Sequence, residues 1–204
     1  MIRSILAGTA MTLLAGAAHA VPFGGVEFPD GAISFADSVV SYLPGNDVGA
    51  GYDDPTAALG TPDWAGAGTA TSLGEGGELI LEFTDNSLTT SGDAAADLWI
   101  FEIGAAVESF NVAIAQSLGS WIDLGNVSGQ PTGIDIDGVA GVVAGAKYSF
   151  VRLRDVLPNQ SGAPFGEADI DAVGAISSAA PVPAPAPLML LGLALLGAAG
   201  RRRT

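Results

Sequence analysis

The residues of this chain best suited to chemistry are aspartates that recur two positions apart. Asp169 and Asp171 form one such pair, and Asp135 and Asp137 form another. Residues two apart on an extended strand point to the same face, so each pair brings two negative charges together. Carboxylates held this close repel each other unless a cation or an arginine lies between them.

Three arrangements satisfy these charges, and the sequence leaves all of them open. Arg152 and Arg154 share a face and predict an arginine–aspartate network with the segment 169–173. Calcium is the alternative, because it prefers oxygen ligands and is plentiful outside cells. Loops whose acidic residues are simply solvated are the third. The predicted calcium ligands are Asp85, Asp155, Asp169 and Asp171.

Most catalytic chemistry is excluded by composition. The chain has no cysteine, and its one histidine, His19, lies in a segment that we expect to be removed. Without these residues the remaining body cannot build a serine–histidine triad or a conventional zinc site. A carboxylate-only glycosidase remains open, with Glu82 or Glu102 as candidates; alternatively, Glu102 is a strand-end residue that faces solvent or Lys147. We predict a non-enzymatic protein without catalytic residues.

Trp64 lies in a Gly-, Ala-, Asp- and Thr-rich stretch, 45–72, that lacks periodicity and predicts a long loop. It is the predicted ligand-binding residue, as a stacking platform for a sugar ring; the alternative is that it caps the core.

The segment 21–178 carries all 22 acidic residues of the chain and only three cationic residues, which gives it a net charge near −19. Such a domain repels nucleic acid and anionic membrane surfaces.

Glycine and proline break the body into short β-prone runs, which predict an all-β fold. Leu98–Phe101 is continuously apolar, as in a strand covered on both faces. The number and spacing of the runs predict a single β-sandwich of jelly-roll type over residues 21–178. The predicted strands are Ser34–Tyr42, Glu78–Thr84, Leu98–Ile103, Phe110–Gln116, Trp121–Val127, Gly133–Asp137, Tyr148–Arg154 and Ala172–Ile176.

Both ends of the chain read as processing segments. Residues 1–20 have a positive start, an apolar stretch and small residues at Ala18 and Ala20, which predicts a secretory signal peptide. Its partners would be the Sec translocon and signal peptidase. At the other end, 179–187 is a Pro/Ala linker and 188–204 a short transmembrane helix with an arginine tail. The apolar run Leu188–Gly200 spans roughly 20 Å as a helix, against a hydrocarbon core of about 30 Å.

The proline-rich motif, short span and basic stop occur in that order at the end of the chain. They resemble the PEP-CTERM class of bacterial surface-sorting signals in its Val-Pro-x-Pro-Ala form, with Ala184 where that class usually carries glutamate. The resemblance implies cleavage by an exosortase-type protease; the alternative is a permanent membrane anchor. The residues of the signal are Val182, Pro183, Ala184, Pro185, Ala186, Arg201, Arg202 and Arg203.

The body also contains several short segments in a characteristic order, among them Gly51–Pro55, Ala58–Asp63, Asp97–Glu102 and Ala168–Gly174. Together these segments resemble those of secreted bacterial surface proteins whose single β-sandwich is similar to discoidin-like or carbohydrate-binding modules. The resemblance implies a binding or structural module at the cell surface or extracellular matrix of a Gram-negative bacterium, and it names no ligand. We predict exopolysaccharide as the partner of this module.

Overall fold

The computed structural model of the chain describes residues 21–158 and 167–176. The predicted signal peptide, the whole predicted Pro/Ala linker and the predicted transmembrane tail lie outside these residues. Within them, no helix is both long and apolar enough to cross a membrane.

The described chain is all-β, as predicted, and every paired strand runs antiparallel to its neighbour. Its helical content is limited to two single 3₁₀ turns, Gly31–Ser34 and Pro55–Ala58. The strands are β1 Val21–Phe23, β2 Val26–Phe28, β3 Ser38–Leu43, β4 Thr71–Ser72, β5 Glu78–Glu82, β6 Leu98–Ile103, β7 Ser109–Ala115, β8 Ile122–Ser128, β9 Thr132–Ile134, β10 Phe150–Asp155 and β11 Asp169–Ala175.

The strands form three open sheets. A five-stranded sheet has the order β3-β5-β10-β7-β8, and a four-stranded sheet has the order β4-β11-β6-β9. The third sheet is the hairpin β1-β2. One buried cluster draws side chains from both larger sheets, such as Leu81 and Val151 from the first and Ile100 and Val173 from the second. The two larger sheets therefore share one core.

All eight predicted strands exist, with ends that shift by a few residues. The β-prone runs between glycine and proline breaks located them, because these strands bury apolar side chains in the shared core. The prediction missed β1, β2 and β4, which have only two or three residues each and therefore show no periodicity. The predicted first strand also began too early, since the 3₁₀ turn Gly31–Ser34 precedes β3.

Strand β6 is covered on both faces, as its apolar run predicted. Leu98 and Ile100 belong to the shared core, whereas Trp99 and Phe101 face a second cluster on the other side of the sheet. The hairpin β1-β2 and the turn after it build that second cluster from Phe23, Phe28 and Phe35, whose rings lie 4.6 to 6.1 Å apart by centroid. The start of the body thus covers the outer face of the four-stranded sheet.

The stretch 45–72 is a long loop, as predicted, and backbone contacts tie it to the sheets. Its 3₁₀ turn Pro55–Ala58 is capped by Asp54, whose carboxylate accepts hydrogen bonds from the Thr56 amide and hydroxyl at 2.9 and 2.7 Å. Near its end, the Ser72 amide donates to the Tyr52 carbonyl at 2.8 Å. The loop, which carries Trp64, therefore returns to the edge of the four-stranded sheet at β4.

Candidate functional site

The clearest candidate site is a pocket of about 490 Å³ where the Trp64 loop meets the end of the four-stranded sheet. Strand β6 supplies Phe101, Glu102 and Ile103, and strand β11 supplies Asp171. The opposite side consists of Pro62, Asp63 and Trp64 from the long loop. Gly24 of the hairpin, Gly104 after β6, Gln130 and Pro131 complete the lining.

Asp171 fixes the loop that carries Trp64. Its Oδ1 accepts a hydrogen bond from the Asp63 amide at 3.2 Å, and the Trp64 amide also donates to this carboxylate. Asp171 can reach the loop because it is the extra residue of a β-bulge, at which the register with β6 shifts between Ile170 and Ala172. The side chain of Trp64 remains 49% exposed at the rim of the pocket.

Glu102 is buried beneath the pocket, with only 2% of its surface exposed. It does not face solvent or Lys147, so that alternative was wrong. Both of its oxygens are covered and make no hydrogen bond of ordinary geometry, although the Gln130 amide and the Glu108 carboxyl lie close. Burial raises the pKa of Glu102 to about 9; Gln130 opposes the shift, and the charges of Glu108 and Asp169 add to it.

The two aspartates of β11 share a raised pKa but have different partners. Burial raises the pKa of Asp169 to about 6, although a hydrogen bond with the Ser72 hydroxyl partly opposes this shift. Burial also raises the pKa of Asp171 to about 6, against its two backbone hydrogen bonds. The bulge interrupts the alternation on which their predicted common face depended.

The four predicted calcium ligands do not form one cluster. Asp85 follows β5 and Asp155 ends β10, and these strands pair antiparallel from Glu82↔Phe150 to Glu78↔Arg154. The two aspartates therefore lie beyond opposite ends of a ladder that spans roughly 13 Å. Asp85 lies beside Asp37, whereas Asp155 accepts a hydrogen bond from the Gly76 amide at 2.9 Å.

The two arginines that were predicted to pair with aspartates lie against a glutamate instead. Arg154 forms an ion pair with Glu78 on the neighbouring strand β5, and the Arg152 Nε lies 3.9 Å from the same carboxylate. The Arg152 guanidinium also stacks over the ring of Trp121 at 4.7 Å. The strand pairing β5-β10 explains this choice, because Glu78 lies directly opposite Arg154.

A separate acidic triad of Asp97, Asp135 and Asp137 has the spacing of a metal site, since one oxygen from each lies within 4.8 Å of the others. The Asp135–Asp137 pair was identified from the sequence. The pairing of β6 with β9 brings Asp97, which directly precedes β6, close to this pair. Asp97 is fully buried and accepts hydrogen bonds from the Ser91 and Ile136 amides. These residues could hold a metal ion.

The pocket combines features that the sequence analysis assigned to separate roles. Trp64 was the predicted sugar platform, Asp171 a predicted metal ligand and Glu102 a candidate acid. Chemically, the pocket offers an aromatic face and acceptor groups at its rim, while the one strongly perturbed acid has no exposed oxygen. Glu108 carried no sequence signal, because it lies in the short connection between β6 and β7.

No family model matches this chain, and the comparisons with curated proteins and with solved structures also found no match.

Proposed function

We propose that this body is a jelly-roll-like β-sandwich that binds carbohydrate in the Trp64 pocket without catalysing a reaction. The observation that carries the proposal is a half-exposed tryptophan held at the rim of a sizeable pocket by a buried carboxylate. Sugar rings present C–H faces that pack on aromatic surfaces, and their hydroxyls hydrogen-bond to polar rim groups. The exposed Asp63 and Gln130 supply such groups beside Trp64.

The charge of the pocket favours neutral sugars over acidic ones. Asp63, Glu102 and Asp171 line the pocket, and none of its lining residues is basic. A uronate or sulfated ligand would meet repulsion without a compensating arginine or lysine. We therefore propose neutral exopolysaccharide segments as the ligand.

Binding of neutral oligosaccharides by the purified full-length protein tests this proposal, with calorimetry as the readout. Trp64→Ala is expected to lower the affinity about five- to tenfold, because stacking on one aromatic ring contributes about 1 to 1.5 kcal/mol. Trp121→Ala is the matched control, since Trp121 lies against Arg152 and away from the pocket. Equal affinity of Trp64→Ala and the wild type, or no binding across a panel of neutral glycans, would contradict the proposal.

A carboxylate-only polysaccharide hydrolase is the second candidate, because Glu102 and Asp171 line the same pocket and both have raised pKa values. The burial of both Glu102 oxygens argues against it, since a general acid must reach the leaving oxygen. Turnover of polysaccharide that disappears with Glu102→Gln would establish this candidate in place of simple binding.

We further propose that the protein is exported and sorted to the cell surface or extracellular matrix. The signal peptide ending at Ala20 and the tail motif Val182–Ala186 support this proposal, with transient insertion of residues 188–204 in the membrane. Intact-mass spectrometry of the protein from its own host measures both ends. Loss of Arg201–Arg203 indicates sorting, whereas their retention indicates a permanent anchor.

A further inference from the structure

The polar side chains at the rim of the pocket present hydrogen-bond acceptors to a ligand. Gln130 donates its Nε2 to the Ala106 carbonyl at 2.7 Å and to the Gly104 carbonyl at 3.4 Å. Its Oε1 is therefore the atom left for a ligand, because the reversed amide would set an oxygen against two carbonyl oxygens. Asp63 adds an exposed carboxylate, and Asp171 lies behind it with a second one. Carboxylates accept hydrogen bonds but do not donate them.

The protein supplies no cationic side chain to this pocket. Residues 21–187 contain three cationic residues, Lys147, Arg152 and Arg154, and none of them lines the pocket. The two arginines lie against Glu78 on the five-stranded sheet. A positive charge on a bound ligand would therefore be attracted to the rim without competition from a lining lysine or arginine.

The aromatic ring at the rim adds a second attraction for a cation. The face of a tryptophan ring is electron-rich and attracts a positive charge within about 6 Å of its centroid. Trp64 is half-exposed and directly follows Asp63 in the loop. Asp171 accepts hydrogen bonds from the amides of both residues, one of them at 3.2 Å. The ring and the exposed carboxylate are thus held at the same rim by one buried side chain.

We propose that this pocket prefers a sugar unit that carries a protonated amine. The preference rests on the proposed carbohydrate binding and adds the class of sugar to it. An ammonium group donates three hydrogen bonds and accepts none, so it matches a rim of acceptors and negative charge. The sugar ring would pack on Trp64 while its ammonium meets the carboxylate of Asp63. Neutral segments remain ligands with lower affinity.

A sugar amine suits the pocket better than the amine of a lysine side chain. The pocket, at about 490 Å³, lies in the size range of sites that enclose a small molecule. A sugar ring is rigid, whereas the flexible stem of lysine loses more conformational freedom when it is bound. The rim therefore favours an amino sugar within a polysaccharide over a basic peptide.

Calorimetric titration of the purified full-length protein with a glucosamine tetramer and with its N-acetylated counterpart measures this preference. The two ligands share the sugar ring and differ in charge at a slightly acidic pH, which protonates the amine. We expect the amino form to bind at least tenfold more tightly at low salt. The difference should shrink at high salt, because exposed charges are screened.

Asp63→Asn removes the exposed charge and keeps the shape of the side chain. It should reduce the ratio of the two affinities at least threefold. Asp47→Asn is the matched control, because it removes the same charge from an exposed residue that does not line the pocket. Asparagine also tolerates the positive φ of 60° at this position. The control should keep the ratio of the wild type.

The possible results separate this preference from carbohydrate binding itself. Equal affinity of the two tetramers, or tighter binding of the N-acetylated one, would overturn the preference and leave carbohydrate binding in place. An unchanged ratio in Asp63→Asn would also overturn it, since the attraction would then come from the overall negative charge of the body. Equal or tighter binding of tetralysine would overturn the assignment to a sugar. Absence of binding by both tetramers would contradict the proposed function and the preference together.

Discussion

Raising the pH should destabilise the folded protein through Glu102. The folded state holds this carboxyl in a buried, acidic environment that raises its pKa from an ordinary 4.5 to about 9. Folding therefore favours the protonated form, whereas the unfolded chain ionises at its ordinary pKa. The stabilising effect of this proton is fully present below about pH 4.5 and is lost as the pH rises through about 9.

The magnitude follows from the size of the shift. Each pKa unit corresponds to about 1.4 kcal/mol, so the full shift amounts to roughly 6 kcal/mol between acidic and strongly alkaline conditions. Asp169 and Asp171, whose pKa values are about 6, have lost most of their effect by pH 7. Between pH 7 and pH 9, Glu102 alone should lower the free energy of unfolding by about 2 kcal/mol.

Urea denaturation of the full-length protein at half-unit pH steps, with a calcium chelator present, measures this dependence. Glu102→Gln is the informative variant, because its amide has a similar shape and cannot ionise. We expect the variant to lose much less stability than the wild type between pH 7 and pH 9. Parallel pH profiles for the two proteins would refute the reasoning, since Glu102 would then be ionised or accessible to solvent in the folded state.

Three further substitutions test individual contacts. Asp171→Ala removes the acceptor for the Asp63 and Trp64 amides, so it should weaken sugar binding about tenfold, measured by calorimetry against the wild type. Gly174→Ala places a Cβ 2.7 Å from the Phe28 ring and should cost about 1–3 kcal/mol in urea unfolding; an unchanged midpoint would show that the hairpin does not pack there. Asp137→Ala removes the acceptor for the Gly92 amide, at 2.8 Å, and should accelerate hydrogen exchange at that amide while distant amides keep their rates.

The strands were predictable from sequence because each buries one face in the shared core. Alternation along Phe110–Ile114 and the apolar run Leu98–Phe101 carry that signal directly. The hairpin β1-β2 was not predictable, since strands of three residues do not complete a recognisable pattern. Its role as a cover appears only once Phe28 is seen to pack on Gly174.

The parts of the candidate site were identified individually, but their combination was not. Trp64, Glu102 and Asp171 come from three distant segments, and only the pairing of β6 with β11 brings the last two together. The bulge at Asp171 determines the direction of its carboxylate, and no feature of the sequence Ala168–Gly174 predicts a bulge. The grouping of Asp85 with Asp155 failed for the same reason, because sequence patterns do not reveal which ends of paired strands meet.

The position of β11 between β4 and β6 constrains when the protein can finish folding. Residues 169–175 are the last described strand of the chain, and the sheet cannot close without them. For a chain that is exported amino terminus first, as we propose, the phenylalanines of the opening hairpin would emerge long before the sheet face on which they pack. Nearly the whole body would then have to cross the membrane before these rings are buried, and the incomplete chain would expose apolar surface of the kind that chaperones bind.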